Sequence, residues 1–215
     1  MGKIFDWIDR RFNLKVVHKR FLKRSLPEKI TYFHCLGGAA FTSYLCLIVT
    51  GLLLSIYYVP SELEAYDSIV KIQHEVRFGK VIRSVHNWSA TLFIVFIILH
   101  TLRVFIHKAY APPRQLNWLV GTLAMLLAFA SGFTGYLLPW DQKAFWATEV
   151  GTSMASTIPA IGKYIMYFIR GGLDVTGVTL IRFYSMHVLW IPFFMMMALW
   201  VHFHMIRRLG IKRNL

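Results

Sequence analysis

Residues 85–105 read VHNWSATLFIVFIILHTLRVF, and residues 182–206 read RFYSMHVLWIPFFMMMALWVHFHMI. Each apolar stretch carries two widely spaced histidines, His86 with His100 and His187 with His202. On an α-helix, the fourteen-residue interval turns through about 1400°, so His86 and His100 share one face roughly 21 Å apart. The fifteen-residue interval places His187 and His202 roughly 22 Å apart, with about 60° of offset. The spacing excludes one ion chelated by one helix, which needs ligands three or four residues apart.

The composition favours a membrane protein. Of 215 residues, 56% are hydrophobic, whereas soluble domains have about 45–50%. About 20 residues span a hydrocarbon core of about 30 Å, and four segments are long enough: about 33–58, 85–105, 116–138 and 182–206. We therefore predict an all-α integral membrane protein, with an amphipathic arm at 1–32 and a four-helix, up-down-up-down transmembrane bundle at 33–215.

The charge distribution predicts the orientation of the bundle. Although the net charge is +14, sixteen basic and only three acidic residues fall in 1–32, the 103–114 link and the C-terminal tail. The opposite side carries eight basic and seven acidic residues. This asymmetry follows the positive-inside rule and places both termini on the cytoplasmic or stromal side of a bacterial plasma or thylakoid-type membrane. It also argues against nucleic acid as a partner.

The polar segments outside the four spans include the N-terminal arm and two long outer connections. Residues 1–32 are too charged and too long for a signal peptide n-region, so we expect them to lie on the cytoplasmic membrane surface, against membrane lipid. The outer connections, about 59–84 and 139–181, are long enough for short surface helices, with 143–153 the best candidate.

The predicted topology pairs the histidines in two levels. Because the second and fourth helices run parallel, His86 and His187 share an outer level, and His100 and His202 share an inner level. Ionisable groups are costly inside a membrane, and two axial imidazoles saturate an iron porphyrin, which favours electron transfer. We therefore predict two stacked haems that carry electrons across the membrane, and a quinone as the membrane-soluble two-electron carrier at each end of this path.

Glycines and arginines fit the same prediction. A fourteen-residue interval also separates Gly37 from Gly51 and Gly121 from Gly135 on the first and third helices. Glycine lets another group approach a membrane helix closely, here the flat macrocycles.

Haem propionates need cations, and arginine forks suit carboxylates. The candidates flank the ligands: Arg83 and Arg182 on the outer side, Arg103 and Arg114 on the inner side.

Several segments carry a family resemblance: FDW at 5–7, FHCLGG at 33–38, IRSVHNWSA at 82–90, LHTLRV at 99–104, PRQLNW at 113–118, GFTGYLLPWD at 132–141 and RFYSMH at 182–187. With these motifs the chain resembles cytochrome b6, the short four-helix cytochrome b of cytochrome b6f and related quinol–cytochrome c oxidoreductases. The resemblance runs nearly from end to end.

The resemblance implies three haems. His86 and His187 would bind a low-potential outer haem b, and His100 and His202 a high-potential inner one. Cys35 aligns with the cysteine that carries a covalent haem c, although by its chemistry alone a single membrane cysteine is a small buried hydrophobe.

The resemblance also implies two quinone sites. The outer pocket, which oxidises quinol, would be lined by Tyr136, Pro139, Trp140 and the helix that begins at Lys143. The inner pocket, which reduces quinone, would lie near Arg207.

The family's Q-cycle implies partners. One electron goes to a Rieske iron–sulfur protein and on to a c-type cytochrome or plastocyanin, while the other crosses through the b haems. The Pro-Glu-Trp-Tyr motif of the outer pocket is missing from this sequence, so we expect a subunit-IV-like chain that carries it, in a dimeric complex. Two alternatives are a stand-alone dihaem cytochrome b that anchors a hydrogenase or formate dehydrogenase, and a haem-free transporter with histidine proton relays.

Overall fold

Four long helices dominate the computed structural model, which describes residues 32–210. Tyr32–Ser55, Gly79–Ile106, Gln115–Leu137 and Gly177–Leu209 are each long and apolar enough to cross a membrane. Within the described residues every regular element is helical, which confirms the predicted fold class for this part of the chain. Apart from Tyr32, the predicted amphipathic arm lies outside the described residues, as does the tail 211–215.

The elements follow one another in simple order. A 3₁₀ turn, Tyr32–Cys35, leads into α1, Leu36–Ser55. The short helix α2, Ala65–His74, precedes the long α3, Gly79–Ile106, and α4 covers Gln115–Leu137. Two more short helices, α5 at Gln142–Ser156 and α6 at Gly162–Arg170, precede α7, Gly177–Leu209. The predicted surface helix 143–153 is thus present as α5.

The second and fourth spans begin earlier than hydropathy predicts, because their first turns are anchored outside the apolar region. Phe78 adopts a left-handed φ of 63° just before α3. At Gly79 an added Cβ would lie 2.0 Å from the Ile72 carbonyl oxygen, so only glycine lets α3 start against α2. At the start of α7, the Gly177 N–H donates to the Glu62 carboxylate, and a carboxylate at a helix N-terminus also complements the helix dipole.

The four spanning helices pack in two pairs, α1 mainly against α3 and α4 mainly against α7. Their shared core includes Tyr44, Phe93, Ala128 and Met195, all buried. These four residues lie midway along the sequence between the two glycines or two histidines of their helices. The Tyr44 and Phe93 rings are 5.7 Å apart, and the Tyr44 hydroxyl donates to the Pro192 carbonyl on α7 at 3.0 Å. The core therefore occupies the layer between the two histidine levels.

A second core fixes the outer connections. Tyr58, Leu137, Leu180 and Phe183 are buried there together. The Tyr58 hydroxyl donates to the Leu138 carbonyl at 2.6 Å, and its ring stacks on Tyr184. Burial, with a smaller contribution from Tyr184, raises the pKa of Tyr58, so this hydroxyl keeps the proton that it donates.

Arg170, at the end of α6, links the short outer helices to one another. Its side chain is only 3% exposed and forms an ion pair with Glu149 of α5 at 2.9 Å. The guanidinium also donates hydrogen bonds to Thr152, Ser153 and the Leu173 carbonyl. Because loss of Glu149 would leave the buried guanidinium uncompensated, this network holds α6 against α5.

Candidate haem sites

The two outer histidines face each other across a gap of the size that one metal ion needs. The rings of His86 on α3 and His187 on α7 have centroids 6.3 Å apart and planes at 72°. Imidazole nitrogens bind metals at about 2.0–2.1 Å, and a ring atom lies about 1.1 Å from the ring centre, so two rings on opposite sides of one metal have centroids about 6.3 Å apart. The observed separation matches bis-imidazole coordination.

Hydrogen bonds orient the outer pair. Nδ1 of His187 donates to the Ser131 carbonyl of α4 at 2.9 Å, because a carbonyl oxygen can only accept. Nδ1 of His86 lies 2.8 Å from the Thr50 hydroxyl of α1. With Nδ1 engaged in this way, the other ring nitrogen, Nε2, is left free to bind a metal, which is the usual arrangement of a metal-binding histidine.

The inner pair is equally buried but less well bonded. Within the described part of the chain, Nδ1 of His100 is a buried side-chain atom without a hydrogen-bond partner, whereas His202 interacts with the backbone of Asn117 on α4. Each ring lies against a glycine of the neighbouring helix, His100 against Gly37 and His202 against Gly121. Buried polar atoms without partners are rare in folded proteins, so His100 is held in a different way from the two outer histidines.

All four predicted glycines contact a histidine ring. An added Cβ would come to 3.1 Å from His100 at Gly37, 3.3 Å from His86 at Gly51, 3.2 Å from His202 at Gly121 and 2.5 Å from His187 at Gly135. The sequence predicted that these glycines make room for macrocycles. In the structure their nearest side chains are the imidazoles, so each glycine lets a histidine ring from a neighbouring helix approach its backbone closely.

A π-helical turn in α7 explains the unequal histidine intervals. Residues Met186–Trp190 are π-helical, and the Ile191 N–H donates five residues back to the Met186 carbonyl. A π turn takes up one more residue than an α turn. Pro192, which has no N–H to donate, follows directly and favours an irregular turn here. The extra residue between His187 and His202 is absorbed by this turn, so both rings reach their glycines.

The residues fit haem better than a bare ion. Across residues 32–210, no group of three or more histidine, cysteine or carboxylate side chains could hold a metal ion. Each histidine level supplies two nitrogen ligands, so a metal there needs its remaining ligands from a macrocycle. The packed core lies between the levels rather than at them, which leaves the histidine levels as the places for such a group.

The predicted propionate arginines are found at the two ends of the bundle, most of them with protein partners. On the outer side, Arg83 donates to Gln73 at 2.7 Å and Arg182 donates to the Phe168 carbonyl. On the inner side, Arg114 donates to the Leu209 and Gly210 carbonyls, both at 3.3 Å, and so caps α7. Arg103 is different, because its Nε is buried without a hydrogen-bond partner.

The predicted quinone-site residues lie at the ends of the spanning helices. On the outer side, Tyr136 is 45% exposed, Pro139 and Trp140 are half-buried, and Lys143 is exposed. The Trp140 ring packs edge-on against Phe145 in the first turns of α5. At the inner end, Arg207 is exposed in the last turn of α7.

Cys35 lies at the inner end of α1. It is the last residue of the 3₁₀ turn that precedes the helix, and it is exposed. Two residues later, Gly37 lies against the His100 ring, so Cys35 stands at the level of the inner histidines.

Thr50 is a site residue that sequence reasoning missed. It lies directly before Gly51, as Thr134 lies directly before Gly135, whereas leucine and valine precede the two inner glycines. This repeated Thr-Gly pair at the outer level was the available signal. It went unnoticed because a membrane threonine usually hydrogen-bonds only its own helix.

A four-helix membrane bundle with histidines paired at two levels defines a membrane cytochrome of the b class. The sequence pattern of the Cytochrome b/b6/petB family matches residues 21–210. The chain belongs to this family, whose members are haem-carrying membrane proteins of electron transport.

Individual relatives cover nearly the whole chain. The chain is 39% identical to the menaquinol:cytochrome c reductase cytochrome b subunit of Geobacillus thermodenitrificans, over 98% of both chains. It is 37% identical to cytochrome b6 of Gracilaria tenuistipitata var. liui, again over 98% of both. A solved chain of a hyperthermophilic respiratory Complex III superposes with a TM-score of 0.88 at 30% identity, over 96% of this chain and 55% of that one. The chain therefore spans about half the length of that Complex III chain.

Proposed function

We propose that this chain is the cytochrome b subunit of a quinol–cytochrome c or quinol–plastocyanin oxidoreductase, which carries electrons between two quinone sites on opposite sides of a membrane. The observation that carries the proposal is the duplicated unit of a histidine pair between two glycines, at two levels separated by a packed core. The relatives named as cytochrome b6 and as a menaquinol:cytochrome c reductase subunit support the same class of complex.

The four histidines would hold two haem b groups. When bound, haem b supplies a one-electron iron couple. His86 with His187 would hold one group and His100 with His202 the other, and two histidine ligands suit a haem that transfers electrons. The unbonded Nε of Arg103, one turn beyond His100, suits an inner propionate. Arg83, Arg114 and Arg182 would reach propionates only by giving up or sharing the partners they have.

The finer proposal is a Q-cycle. Quinol would be oxidised on the outer side, in a pocket between Tyr136, Pro139, Trp140 and the α5 turn at Lys143, with one electron leaving to a Rieske iron–sulfur protein and c-type cytochrome. The other electron would cross to a quinone-reducing site near Arg207. A subunit-IV-like chain with the Pro-Glu-Trp-Tyr motif would complete the outer pocket, in a dimeric complex.

The proposed orientation places the termini inside. In the described residues, the inner ends of the helices carry Arg103, Arg114, Arg207 and Arg208, whereas acidic residues such as Glu62 and Glu149 lie in the outer connections. This distribution follows the positive-inside rule and supports an orientation with His86 and His187 on the outer side.

Activity of the complex tests the function with a matched pair of variants. His202→Ala removes an inner ligand, and we expect quinol-dependent cytochrome c reduction by the purified complex to fall at least tenfold. His204→Ala is the control: it lies two residues further along α7, is exposed and stacks on Trp200, so activity should stay at the wild-type level. Full activity in His202→Ala would contradict the proposed function.

Cys35 would carry the covalent haem c, through a single thioether on the inner side. The chain should therefore keep a haem-staining band on a denaturing gel, and Cys35→Ala should lose that band while it keeps both b-type haems. Cys46→Ala serves as the control, since Cys46 is also exposed but lies nine residues further along α1 from Gly37. A wild-type chain without the stained band would show that Cys35 carries no haem.

A further inference from the structure

The outer and inner histidine pairs differ in what their Nδ1 atoms contact. At the outer level, His86 Nδ1 is 2.8 Å from the Thr50 hydroxyl, and His187 Nδ1 donates to the Ser131 carbonyl at 2.9 Å. At the inner level, Nδ1 of His100 is buried without a hydrogen-bond partner within residues 32–210, whereas His202 interacts with the backbone of Asn117 on α4. Among these four histidines, His86 has the shortest contact to a side-chain hydroxyl.

The direction of the Thr50 hydrogen bond follows from its other contact. A threonine hydroxyl has one hydrogen to donate and two lone pairs. Thr50 Oγ1 lies 2.6 Å from the Cys46 carbonyl, one turn back on α1, and that carbonyl can only accept. The hydroxyl hydrogen is therefore used within α1, and a lone pair faces His86. Nδ1 of His86 must carry the proton, and its Nε2 lone pair is left free.

A hydrogen bond from Nδ1 changes the imidazole as a ligand. It fixes the tautomer and the ring orientation, and it raises the basicity of Nε2. A more basic ligand stabilises ferric over ferrous iron, which lowers the reduction potential, and hydrogen bonds to ligands are one of the means by which proteins tune haem. His100, whose Nδ1 has no hydrogen-bond partner among residues 32–210, exerts no such effect.

We propose that Thr50 is a positioning residue of the outer haem site, which orients His86 and lowers the potential of the outer haem relative to the inner one. This inference rests on the proposed function, since it needs a haem at each level. The Ser131 carbonyl acts in the same direction on His187, but it is a backbone group that substitution cannot remove. Thr134 lies further away, 3.4 Å from His187 Nδ1, so Thr50 is the side chain on which the outer potential depends.

The experiment uses the purified complex with the full chain and compares substitutions that remove or keep the Thr50 hydroxyl. Thr50→Val removes the hydroxyl and keeps the branched side chain, whereas Thr50→Ser keeps the hydroxyl. Thr122→Val is the control, because Thr122 follows an inner glycine and its hydroxyl bonds only the Trp118 carbonyl of its own helix. The readout is an optical redox titration of the b haems.

In Thr50→Val we expect the ferrous-to-ferric ratio of one b component, at fixed ambient potential, to rise about tenfold, which equals about 59 mV for a one-electron couple. The other component should not move, and Thr50→Ser and Thr122→Val should titrate as wild type. Unchanged midpoints in Thr50→Val, or an equal shift in Thr50→Ser, would overturn the role of Thr50.

Loss of haem in a variant is also decisive. If Thr50→Val loses one haem and Thr50→Ser keeps it at the wild-type potential, the hydroxyl positions the ligand as proposed. If Thr50→Ser loses it as well, side-chain volume and not the hydroxyl is what matters, and the inference is wrong. A wild-type chain with fewer than two b haems would instead refute the proposed function, so the two failures can be told apart.

Discussion

At the scale of single residues, the repeated unit of this protein is a histidine lying on a glycine. The sequence predicted both partners from their intervals, because a period of fourteen or fifteen residues survives in the sequence without any tertiary information. It did not predict that the two touch, nor that Thr50 bonds His86, since contacts between helices depend on how the helices are rotated. The same limit applies to Arg182, whose position beside Phe168 depends on α6.

Gly135 offers the sharpest residue-scale prediction. A Cβ at this position would lie 2.5 Å from His187 Cε1 and 3.0 Å from Nδ1, so Gly135→Ala must push the ring away from its place. Since disturbing the surroundings of a metal ligand typically costs 10–100-fold in affinity, we expect the affinity for the outer haem to drop by about that factor, which lowers the haem content per chain of the purified protein.

The same helix provides the control. An added Cβ at Gly132 meets nothing within 4 Å, so Gly132→Ala should keep full haem content. Equal haem content in the two variants would mean that the contact between Gly135 and His187 does not matter for the cofactor.

At the scale of elements, hydropathy located the four spans but not their ends or their irregularities. The polar first turns of α3 and α7 were missed because they are held by α2 and by Glu62 rather than by apolar content. The π turn at Met186–Trp190 was missed as well. Its sequence signals, Pro192 and a histidine interval one residue too long, are recognisable only once both histidines are known to face one site.

The π turn makes a prediction about chain length. Deleting Leu189, a 59% exposed residue of the turn, leaves a fourteen-residue interval that a regular α-helix can present on one face. We therefore expect the deletion variant to keep both b haems, counted by pyridine haemochrome spectra of the purified complex.

A deletion between His86 and His100, the histidines of α3, should behave differently. Ile98 is also exposed, at 45%, but α3 has no π turn to absorb the change. Its removal would rotate His86 by about 100° relative to His100, and one haem should be lost. If the Leu189 deletion loses a haem just as the Ile98 deletion does, the π turn has not absorbed the extra residue.

At the scale of the whole molecule, contacts within the chain bury only a small part of the four spanning helices. At most 22% of the apolar window of any spanning helix is buried inside the structure, so lipid, cofactors or other subunits must cover the rest. The class and membrane location could be predicted from the sequence, because composition, charge asymmetry and histidine spacing are properties of the chain itself. The layered core at Tyr44 and Phe93 could not, since it depends on four helices meeting.

The central claim is that the chain holds one bis-histidine haem at each of two levels. Haem content per chain tests it most directly, by pyridine haemochrome spectra of the purified complex with wild-type chain and with His100→Ala. We predict two b-type haems in the wild type and one in His100→Ala, because the remaining outer site has its own ligands, glycines and hydrogen bonds. A wild-type chain with a single b haem, or a variant that keeps both, would contradict the account.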